Sequence, residues 1–326
     1  MNKIFTITFF LFVVLSNSFS QTKIKGEILG ENKRIYLSTE SSLIPLTIEN
    51  HKFSLEVEKG KSPISISFAL ISKKGKISYL TPKIWMDSDS VNIKLDFSNE
   101  QVKYEIDNRY IFQNLSEKIE KSDKKDQIKL IRNNLDKYPA LFFLYKKMED
   151  VNIKVLSSLY TLILERNKLC FYAQRIKGYI DAKKLKTPKK GKQFESFRLE
   201  DKNGKIINIY NQSEKYKLLA FMSSACYYSL SSLSELSELY EKYNTEIEFI
   251  TIWNDKKKNT WQNYKAKLKS VVVWTDLWDK TNFAHTYFDI TISPSFILVN
   301  KEGVIIKIIR GFDCEKLKRT VIKNIK

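Results

Sequence analysis

Short runs of alternating apolar and polar residues fill the first hundred positions of the chain. Phe53, Leu55 and Val57 alternate with polar neighbours in HKFSLEVE, and PISISF and VNIKLDF repeat the same period of two. One apolar face at period two indicates a half-buried strand. Turn-rich stretches such as LGEN, KKGK and DSDS separate these runs. The pattern predicts an all-β, sandwich-like domain over residues 21–106.

A helical pattern replaces the alternation after residue 106. Apolar residues recur at spacings of three and four in YIFQNLSEKIEK, QIKLIRNNLDKY, ALFFLYKKMED and the long stretch VLSSLYTLILERNKLCFYAQRIKGYIDAKK. Pro139 is expected to open a helix, since proline is tolerated in the first turn. We expect three or four helices, forming a connector over 107–187 that ends at the charged hinge TPKKGKQF.

Buried strands and amphipathic helices then follow one another. KLLAF, IEFITIW and PSFILVN read as buried strands, and helices are expected at 226–243, at about 256–269 and from about 314 to the end. Strands alternating with helices predict a mixed α/β domain over 188–326.

The first twenty residues have the form of a secretory signal peptide. Lys3 precedes an apolar core at 4–15, and the small residues SFS end at Ser20. The apolar core is shorter than the roughly 20 residues that span a membrane. No cysteine follows it, so we expect no lipid anchor. We predict cleavage after residue 20, export to the periplasm or cell envelope, and no transmembrane span in the mature protein.

The charge balance is strongly basic, with 56 Lys and Arg against 37 Asp and Glu and a net charge of +19. The lysines form scattered doublets and triplets, and no nucleic-acid-binding motif accompanies them. We therefore favour a solvated basic surface without a nucleic-acid partner, with binding of an anionic polymer as an alternative. His51 and His285 are expected to be turn, surface or packing residues, and we expect neither a metal nor a cofactor.

Three cysteines, Cys170, Cys226 and Cys314, cannot all pair within one chain in an oxidising compartment. A Cys170–Cys314 disulfide and two isolated structural thiols are both open, and we favour the second. Cys226 differs from the other two because it stands at the turn between a buried strand and an amphipathic helix. Unpaired N–H groups and the macrodipole at a helix N-terminus favour a thiolate, which is the nucleophilic form. The alternative is an inert cysteine at an ordinary strand-to-helix junction.

The residues around Cys226 resemble a known active-site motif. FMSSACYYS resembles the FWASWCGPC signature of the TlpA/ResA family of thioredoxin-like thiol-disulfide oxidoreductases, which is related to the AhpC/TSA superfamily. GKQFESFRLEDKNGKIINI resembles the lead-in of that family, and ISPSFILVNKEG resembles its proline loop. The resemblance implies a thioredoxin-like fold over 188–326 with Cys226 as nucleophile. It also implies that Pro294 is the cis-proline of the family and that the Ser293 backbone forms the substrate-binding edge with it.

The departures from this motif limit the chemistry that it implies. Ser229 stands where the family has the resolving cysteine, Tyr227 and Tyr228 replace Gly-Pro, and Met222 and Ala225 replace two tryptophans. A serine hydroxyl cannot resolve a mixed disulfide by internal attack. We therefore predict a monothiol CxxS protein that exchanges with protein thiols and disulfides or with small thiols, in which Ser229 donates a hydrogen bond to the thiolate. Tyr227 and Tyr228 are expected to contact the substrate.

Two other functions stay open. A non-catalytic binding or scaffold protein of the cell envelope would keep the fold without the chemistry, so whether the chain is an enzyme is undecided. A peroxide reductase is less favoured, because Leu219 stands where the P-x-x-x-T/S-x-x-C motif has proline. Ser223 fits that motif, and Arg310 is the candidate arginine. Cys314 is not expected to act as a remote resolving thiol.

The β-rich segment resembles the uncharacterised domain that precedes this module in many exported bacterial proteins.

Overall fold

The computed structural model describes residues 21–30, 34–39, 42–58, 64–72, 76–98, 102–106, 110–258, 260, 262–263 and 272–325. The predicted signal peptide at 1–20 lies outside these residues, as does part of the lysine-rich helix predicted at about 256–269. The chain divides into two compact units, of which the first ends at Ser116 and the second begins at Glu117. None of the helices in the described part of the chain is long and apolar enough to cross a membrane.

The first unit is built from short strands that form two sheets. The strands are β1 (Gln21–Leu29), β2 (Ile35–Ser38), β3 (Leu43–Pro45), β4 (Lys52–Glu58), β5 (Ile64–Ile71), β6 (Ile77–Tyr79), β7 (Ile84–Met86), β8 (Ser90–Asp96) and β9 (Lys103–Ile106). One sheet has the order β4-β1-β8-β9, and the other has the order β3-β2-β5-β6 with β7 paired to β5. Apolar residues of both sheets meet in one core, so the strand-rich N-terminal region is confirmed.

Strand register explains the alternation in the sequence. Antiparallel β1–β4 and parallel β1–β8 pairing place Ile24, Phe53 and Ile93 inside the core. The intervening residues face solvent, and across the sheet they form a row of alternating charge: Glu105, Lys94, Glu27 and Lys52. Neighbouring opposite charges on a solvated face add modest stability.

A series of helices precedes the sheet of the second unit. They are α1 (Ile111–Lys121), α2 (Lys124–Arg132), α3 (Tyr138–Lys147), α4 (Ile153–Thr161), α5 (Glu165–Lys168) and α6 (Phe171–Lys184). Asp123 and Asn152 cap α2 and α4 through their side-chain oxygens, and Pro139 lies in the first turn of α3, as predicted. The sequence predicts three or four helices in this region, whereas the structure has α1 to α6, because the long final pattern is divided into α4, α5 and α6. Ile163 and Cys170 are buried at the two breaks between these helices. Neither break contains a proline or glycine, so the sequence gives no sign that the helix ends there.

The remaining elements form a mixed sheet with helices on both faces. They are β10 (Phe197–Asp201), β11 (Ile206–Ile209), β12 (Tyr216–Met222), α7 (Tyr227–Tyr243), β13 (Ile247–Trp253), β14 (Thr275–Trp278), α8 (Phe283–Tyr287), β15 (Ser295–Val299), β16 (Ile305–Arg310) and α9 (Cys314–Asn324). The strand order is β11-β10-β14-β13-β12-β15-β16. β12 pairs in parallel with β13 and antiparallel to β15, so it is an interior strand that neighbours both. The predicted mixed α/β plan is confirmed.

The interior strand β12 is buried on both faces. Leu218, Ala220 and Met222 pack with leucines of α7 and with Leu317 and Val321 of α9. Leu219 and Phe221 pack on the other face with residues of α8 and with Ala182 of α6. This two-sided core fixes the position at which β12 ends and the following turn begins.

Gly178 lets α6 pack closely against the segment before α8. A Cβ atom at this position would lie 2.2 Å from the backbone oxygen of Thr281 and 2.7 Å from its Cβ. Because backbone cannot move aside as a flexible side chain can, an alanine here would displace α6 or the 279–282 segment.

We expect Gly178→Ala to destabilise the protein, although alanine has the higher helix propensity. Propensity alone would add about 1 kcal/mol of stability, whereas overpacking costs roughly 1–3 kcal/mol and sometimes more. Urea titration measures the free energy of unfolding. Lys184→Ala, on the exposed side of the same helix, is the control and should change it by no more than about 0.5 kcal/mol. A more stable Gly178→Ala protein would contradict the close packing.

Candidate active site

Cys226 occupies the junction between β12 and α7. It is the N-cap residue of α7, with an extended backbone, and its thiol is partly exposed. Its amide donates to the Ser223 carbonyl oxygen (3.0 Å), while its own carbonyl accepts from the amides of Ser229 and Leu230 at 3.1 and 3.3 Å. The structure therefore has the strand, turn, cysteine and helix in the order that the sequence predicts, with the sulfur beside the helix N-terminus.

The proline loop lies directly against this thiol. The Ser293–Pro294 peptide bond is cis, and the loop leads into β15, which pairs with β12. The Cys226 thiol donates a hydrogen bond to the Ser293 carbonyl oxygen, with Sγ 3.0 Å from that oxygen. The fold thus brings together two segments that lie 67 residues apart in the sequence.

Ser229 is fully buried beneath the turn. Its Oγ accepts a hydrogen bond from the Ser223 backbone amide at 3.2 Å, and its carbonyl oxygen accepts from the Ser232 hydroxyl at 2.8 Å. The hydroxyl therefore satisfies a backbone donor at the point where β12 gives way to the turn. Its predicted hydrogen bond to the Cys226 thiolate stays a prediction.

Two exposed tyrosines stand beside the thiol. Tyr227 and Tyr228 are 75% and 59% exposed, which is unusual for large aromatic side chains. Their rings pack edge to face with centroids 5.7 Å apart, and the Tyr228 ring lies 6.2 Å from that of Phe312. These three rings form what we call the aromatic surface. The sequence analysis did not identify Phe312, which follows β16 and shows no local signal for this role.

A buried carboxyl supports the turn from the opposite side. Asp255, in the loop after β13, accepts hydrogen bonds from the Ser224 hydroxyl and from the Ser224 amide, the latter at 3.3 Å. Burial raises the pKa of the Asp255 carboxyl, against the opposing effects of the Ser224 hydrogen bonds and the Arg175 charge. Sequence reasoning missed Asp255, because its only signal is an acidic residue that closely follows a buried strand.

Similarity to known proteins agrees with this architecture. The family model described as thioredoxin-like matches residues 214–305, which contain Cys226, Ser229 and the proline loop. The C-terminal region is a thioredoxin-like domain. No curated protein matches the chain.

Several solved structures are similar to the thioredoxin-like domain. One is described as a thiol:disulfide interchange protein DsbE from Chlorobium tepidum, with 17% identity, 43% of this chain and 99% of that chain covered, and a TM-score of 0.40. Another is the C-terminal domain of a protein described as a thiol-disulfide oxidoreductase from Bacteroides thetaiotaomicron, with 25% identity, 43% and 97% coverage, and a TM-score of 0.38. A third is the thioredoxin domain of a thiol-disulfide oxidoreductase from Bacteroides vulgatus, with 22% identity, 42% and 99% coverage, and a TM-score of 0.37. The fold assignment rests on the family match and the sheet topology.

Both histidines lie away from a ligand set. His285 is buried in the thioredoxin-like domain, where its Nδ1 and its backbone amide lie 2.8 and 3.0 Å from one Asp279 carboxylate oxygen. Its ring packs edge to face on Phe221 with centroids 5.1 Å apart. His51 is exposed in a turn with a φ of 63°. Across the described ranges, no group of three or more His, Cys, Asp or Glu residues is placed to hold a metal ion.

The other two cysteines are held in structural environments. Cys170 is buried at the start of α6. The Cys314 thiol donates to the Glu235 carboxylate, and burial together with Glu235 raises the pKa of Cys314 from 9.0 to about 11. Cys314 is therefore an isolated protonated thiol at neutral pH, although it lies at the start of α9.

We expect Glu235→Gln to lower the pKa of Cys314 and to speed its alkylation at pH 8. The substitution removes the carboxylate that stabilises the protonated thiol and leaves the Lys318 cation close to it. Each decrease of one unit in the pKa of Cys314 raises its thiolate fraction about tenfold. Mass spectrometry of iodoacetamide-treated protein measures the Cys314 rate. Glu238→Gln, which removes the other carboxylate paired with Lys318, should leave that rate unchanged, and equal rates in all three proteins would refute the assignment.

Proposed function

We propose that the protein is an exported thiol–disulfide exchange protein with a monothiol CxxS site, in which Cys226 is the nucleophile. The observation that carries the proposal is the partly exposed Cys226 thiol at the N-terminus of α7, 3.0 Å from the Ser293 carbonyl oxygen of the proline loop. A helix N-terminus favours the thiolate that attacks disulfides. The pattern at 1–20 supports export.

The exchange reaction needs one thiol of the protein and a disulfide of the substrate. The Cys226 thiolate attacks one substrate sulfur, a bond forms between them, and the substrate S–S bond breaks. The second substrate sulfur leaves as a thiolate. If a different substrate thiol attacks the substrate sulfur of the mixed disulfide, a new substrate disulfide forms and Cys226 leaves as the thiolate, whereas attack by the first leaving thiolate restores the original disulfide. If an external thiol pair attacks, the substrate is reduced and the external pair is oxidised.

The position of Ser229 supports exchange over self-contained reduction. Its buried hydroxyl accepts the Ser223 amide, and a hydroxyl cannot take the place of a resolving thiol. Cys314 offers no substitute, because its raised pKa keeps it protonated. Release from the mixed disulfide therefore depends on a thiol that the substrate or the solution supplies.

The surroundings of Cys226 favour a polypeptide substrate. Tyr227 and Tyr228 expose aromatic area next to the sulfur, and Ile292 is 53% exposed in the proline loop. Exposed apolar area of this kind commonly marks an interaction surface. We propose that Tyr227 and Tyr228 contact the side chains that flank the substrate cysteine, and that Ser293 and Pro294 form the edge along which its backbone lies.

The aromatic surface also supports a second candidate, a binding protein without turnover. Such a protein would use the same surface and leave Cys226 chemically idle. Peroxide reduction has less support, because the Arg310 guanidinium binds the Asp289 carbonyl oxygen (2.5 Å) and lies 3.5 Å from its carboxylate.

We expect the protein to reactivate scrambled ribonuclease in a glutathione buffer, and Cys226→Ala to reduce that rate to the uncatalysed background. The nucleophile is lost while the fold is kept, because the substitution removes only the sulfur atom of a partly exposed residue. Circular dichroism checks folding, and Cys170→Ala is the control that removes a different thiol. Equal reactivation by the wild-type and Cys226→Ala proteins would leave only the binding function.

We expect Ser229→Cys to raise the rate of insulin reduction with dithiothreitol as the reductant, because it supplies an internal resolving thiol. Sulfur is a weak hydrogen-bond acceptor, so the Ser223 amide loses part of its hydrogen bond, and we expect a loss of stability of about 1 kcal/mol. Ser234→Cys adds a cysteine on the exposed side of the same helix and should leave the rate unchanged. An unaltered rate in folded Ser229→Cys protein would show that position 229 cannot reach the mixed disulfide.

A further inference from the structure

Arg175 is a buried cation on the connector helix α6. It is only 5% exposed, and its Nη2 donates to the Asn254 carbonyl oxygen at 2.5 Å, with a longer contact of 3.5 Å to the Asp255 carbonyl oxygen. Burying a guanidinium is unfavourable unless it is paired and hydrogen-bonded. The side chain therefore makes a specific connection between the connector and the loop that follows β13.

The loop that Arg175 binds is the loop that holds the turn before Cys226. The Asn254 amide donates to the Met222 carbonyl oxygen at 3.2 Å, at the end of β12. The Asp255 carboxylate accepts from both the hydroxyl and the amide of Ser224. A short chain of hydrogen bonds thus runs from Arg175 through residues 254–255 to Ser224, two positions before Cys226.

The charges around Arg175 come from several elements of the second unit. Burial lowers the pKa of Arg175, and three nearby groups act in the opposite direction. They are Asp279, Asp255 in the loop after β13, and Tyr145 of α3. Asp279 follows β14 and also binds His285 of α8. The guanidinium lies over the Phe171 ring at 5.1 Å from its centroid, and the Lys256 ammonium lies 5.2 Å from the same centroid. Arg175 is thus a buried cation that interacts electrostatically with two buried carboxyl groups, Asp255 and Asp279.

Close packing fixes the position from which Arg175 reaches the loop. Gly178, one turn further along α6, lies against the Thr281 backbone. Side chains held this closely transmit a shift to their neighbours, because protein interiors are densely packed. Gly178 therefore holds α6 against residues 279–282, and Arg175 on the same helix reaches the 254–255 loop from this fixed position.

We infer that Arg175 is a positioning residue for Cys226, through which the connector helix sets the reactivity of the thiol. This inference rests on the proposed function in that it takes Cys226 as the reactive group. Arg175 holds the Asn254–Asp255 loop, the Asp255 carboxylate holds Ser224, and the turn presents the sulfur to the proline loop. Without the guanidinium, the Asn254 carbonyl loses its Arg175 donor, while the Asp255 carbonyl keeps its hydrogen bond from the Trp278 indole N–H at 2.8 Å. The Asp255 carboxylate also loses the favourable charge of Arg175. Both losses loosen the support of the turn before Cys226.

The test compares alkylation of Cys226 by iodoacetamide in four proteins, followed by mass spectrometry over a range of pH. Arg175→Met keeps the length of the side chain and removes its hydrogen-bond donors. We expect it to slow alkylation of Cys226 at pH 7 about tenfold. A misplacement of 1 Å can slow a reaction roughly 100-fold, so this expectation corresponds to a smaller displacement. Arg175→Lys, which keeps one donor and the charge, should give an intermediate rate. Arg166→Met, at an exposed position of α5, is the matched control and should behave as wild type.

A double-mutant cycle separates positioning from a loss of stability. If Arg175 acts through Ser224, the effects of Arg175→Met and Ser224→Ala on the alkylation rate are not additive. A wild-type rate and pH profile in folded Arg175→Met protein would overturn the inference. If Arg175→Met does not fold, a wild-type rate in Arg175→Lys would overturn it instead. If the rates change as expected but scrambled ribonuclease is not reactivated, the positioning stands and the proposed function fails.

Discussion

The hydrogen bond between the Ser223 amide and the Ser229 hydroxyl is the contact on which the site depends. Ser223 follows the last residue of β12 and is partly buried. Leaving a fully buried N–H group unpaired costs about 1–3 kcal/mol, which is the upper limit for this amide. Ser229 supplies the acceptor from the first turn of α7. The turn can therefore close with Cys226 at the helix N-terminus, where its carbonyl begins the helical hydrogen bonds. Ser229 therefore has a structural function of its own, in addition to standing at the position where the resembling motif has a cysteine.

Buried charged side chains also support the turn before Cys226. Asp255 and Asp279 are both nearly inaccessible to solvent, and Arg175 is the buried cation beside them. Buried ionic groups add little net stability on average, but removing one partner leaves an uncompensated charge and is strongly destabilising. Such a group of charges is sensitive to geometry, because each partner tolerates little displacement. It makes the arrangement at Ser224 depend on residues contributed by the connector.

Local patterns in the sequence predict the frame of the site, and long-range contacts supply the rest. The apolar run from Leu218 to Phe221 and the amphipathic spacing after Cys226 are enough to predict strand, turn and helix. The proline loop follows from its resemblance to a family motif. Arg175 and Asp255 show no such signal, since a contact across 80 residues leaves no periodicity. The breaks between α4, α5 and α6 could not be predicted from the sequence for a similar reason. Ile163 and Cys170 are buried at these breaks through tertiary packing, and no helix-breaking residue is present there.

The three cysteines show how environment divides one residue type among different roles. Cys314 begins a helix, as α7 follows Cys226, so the helix N-terminus alone does not make a reactive thiol. The Glu235 carboxylate accepts from the Cys314 thiol and raises its pKa, whereas the acceptor for Cys226 is the neutral Ser293 carbonyl oxygen. A carboxylate partner opposes the ionisation of a thiol by its charge and by accepting the thiol proton, whereas a neutral carbonyl carries no charge that adds to this opposition. The two cysteines at helix N-termini therefore differ in their acceptors, a carboxylate for Cys314 and a backbone carbonyl for Cys226. The reactivity proposed for Cys226 then depends on how well the turn before it is held.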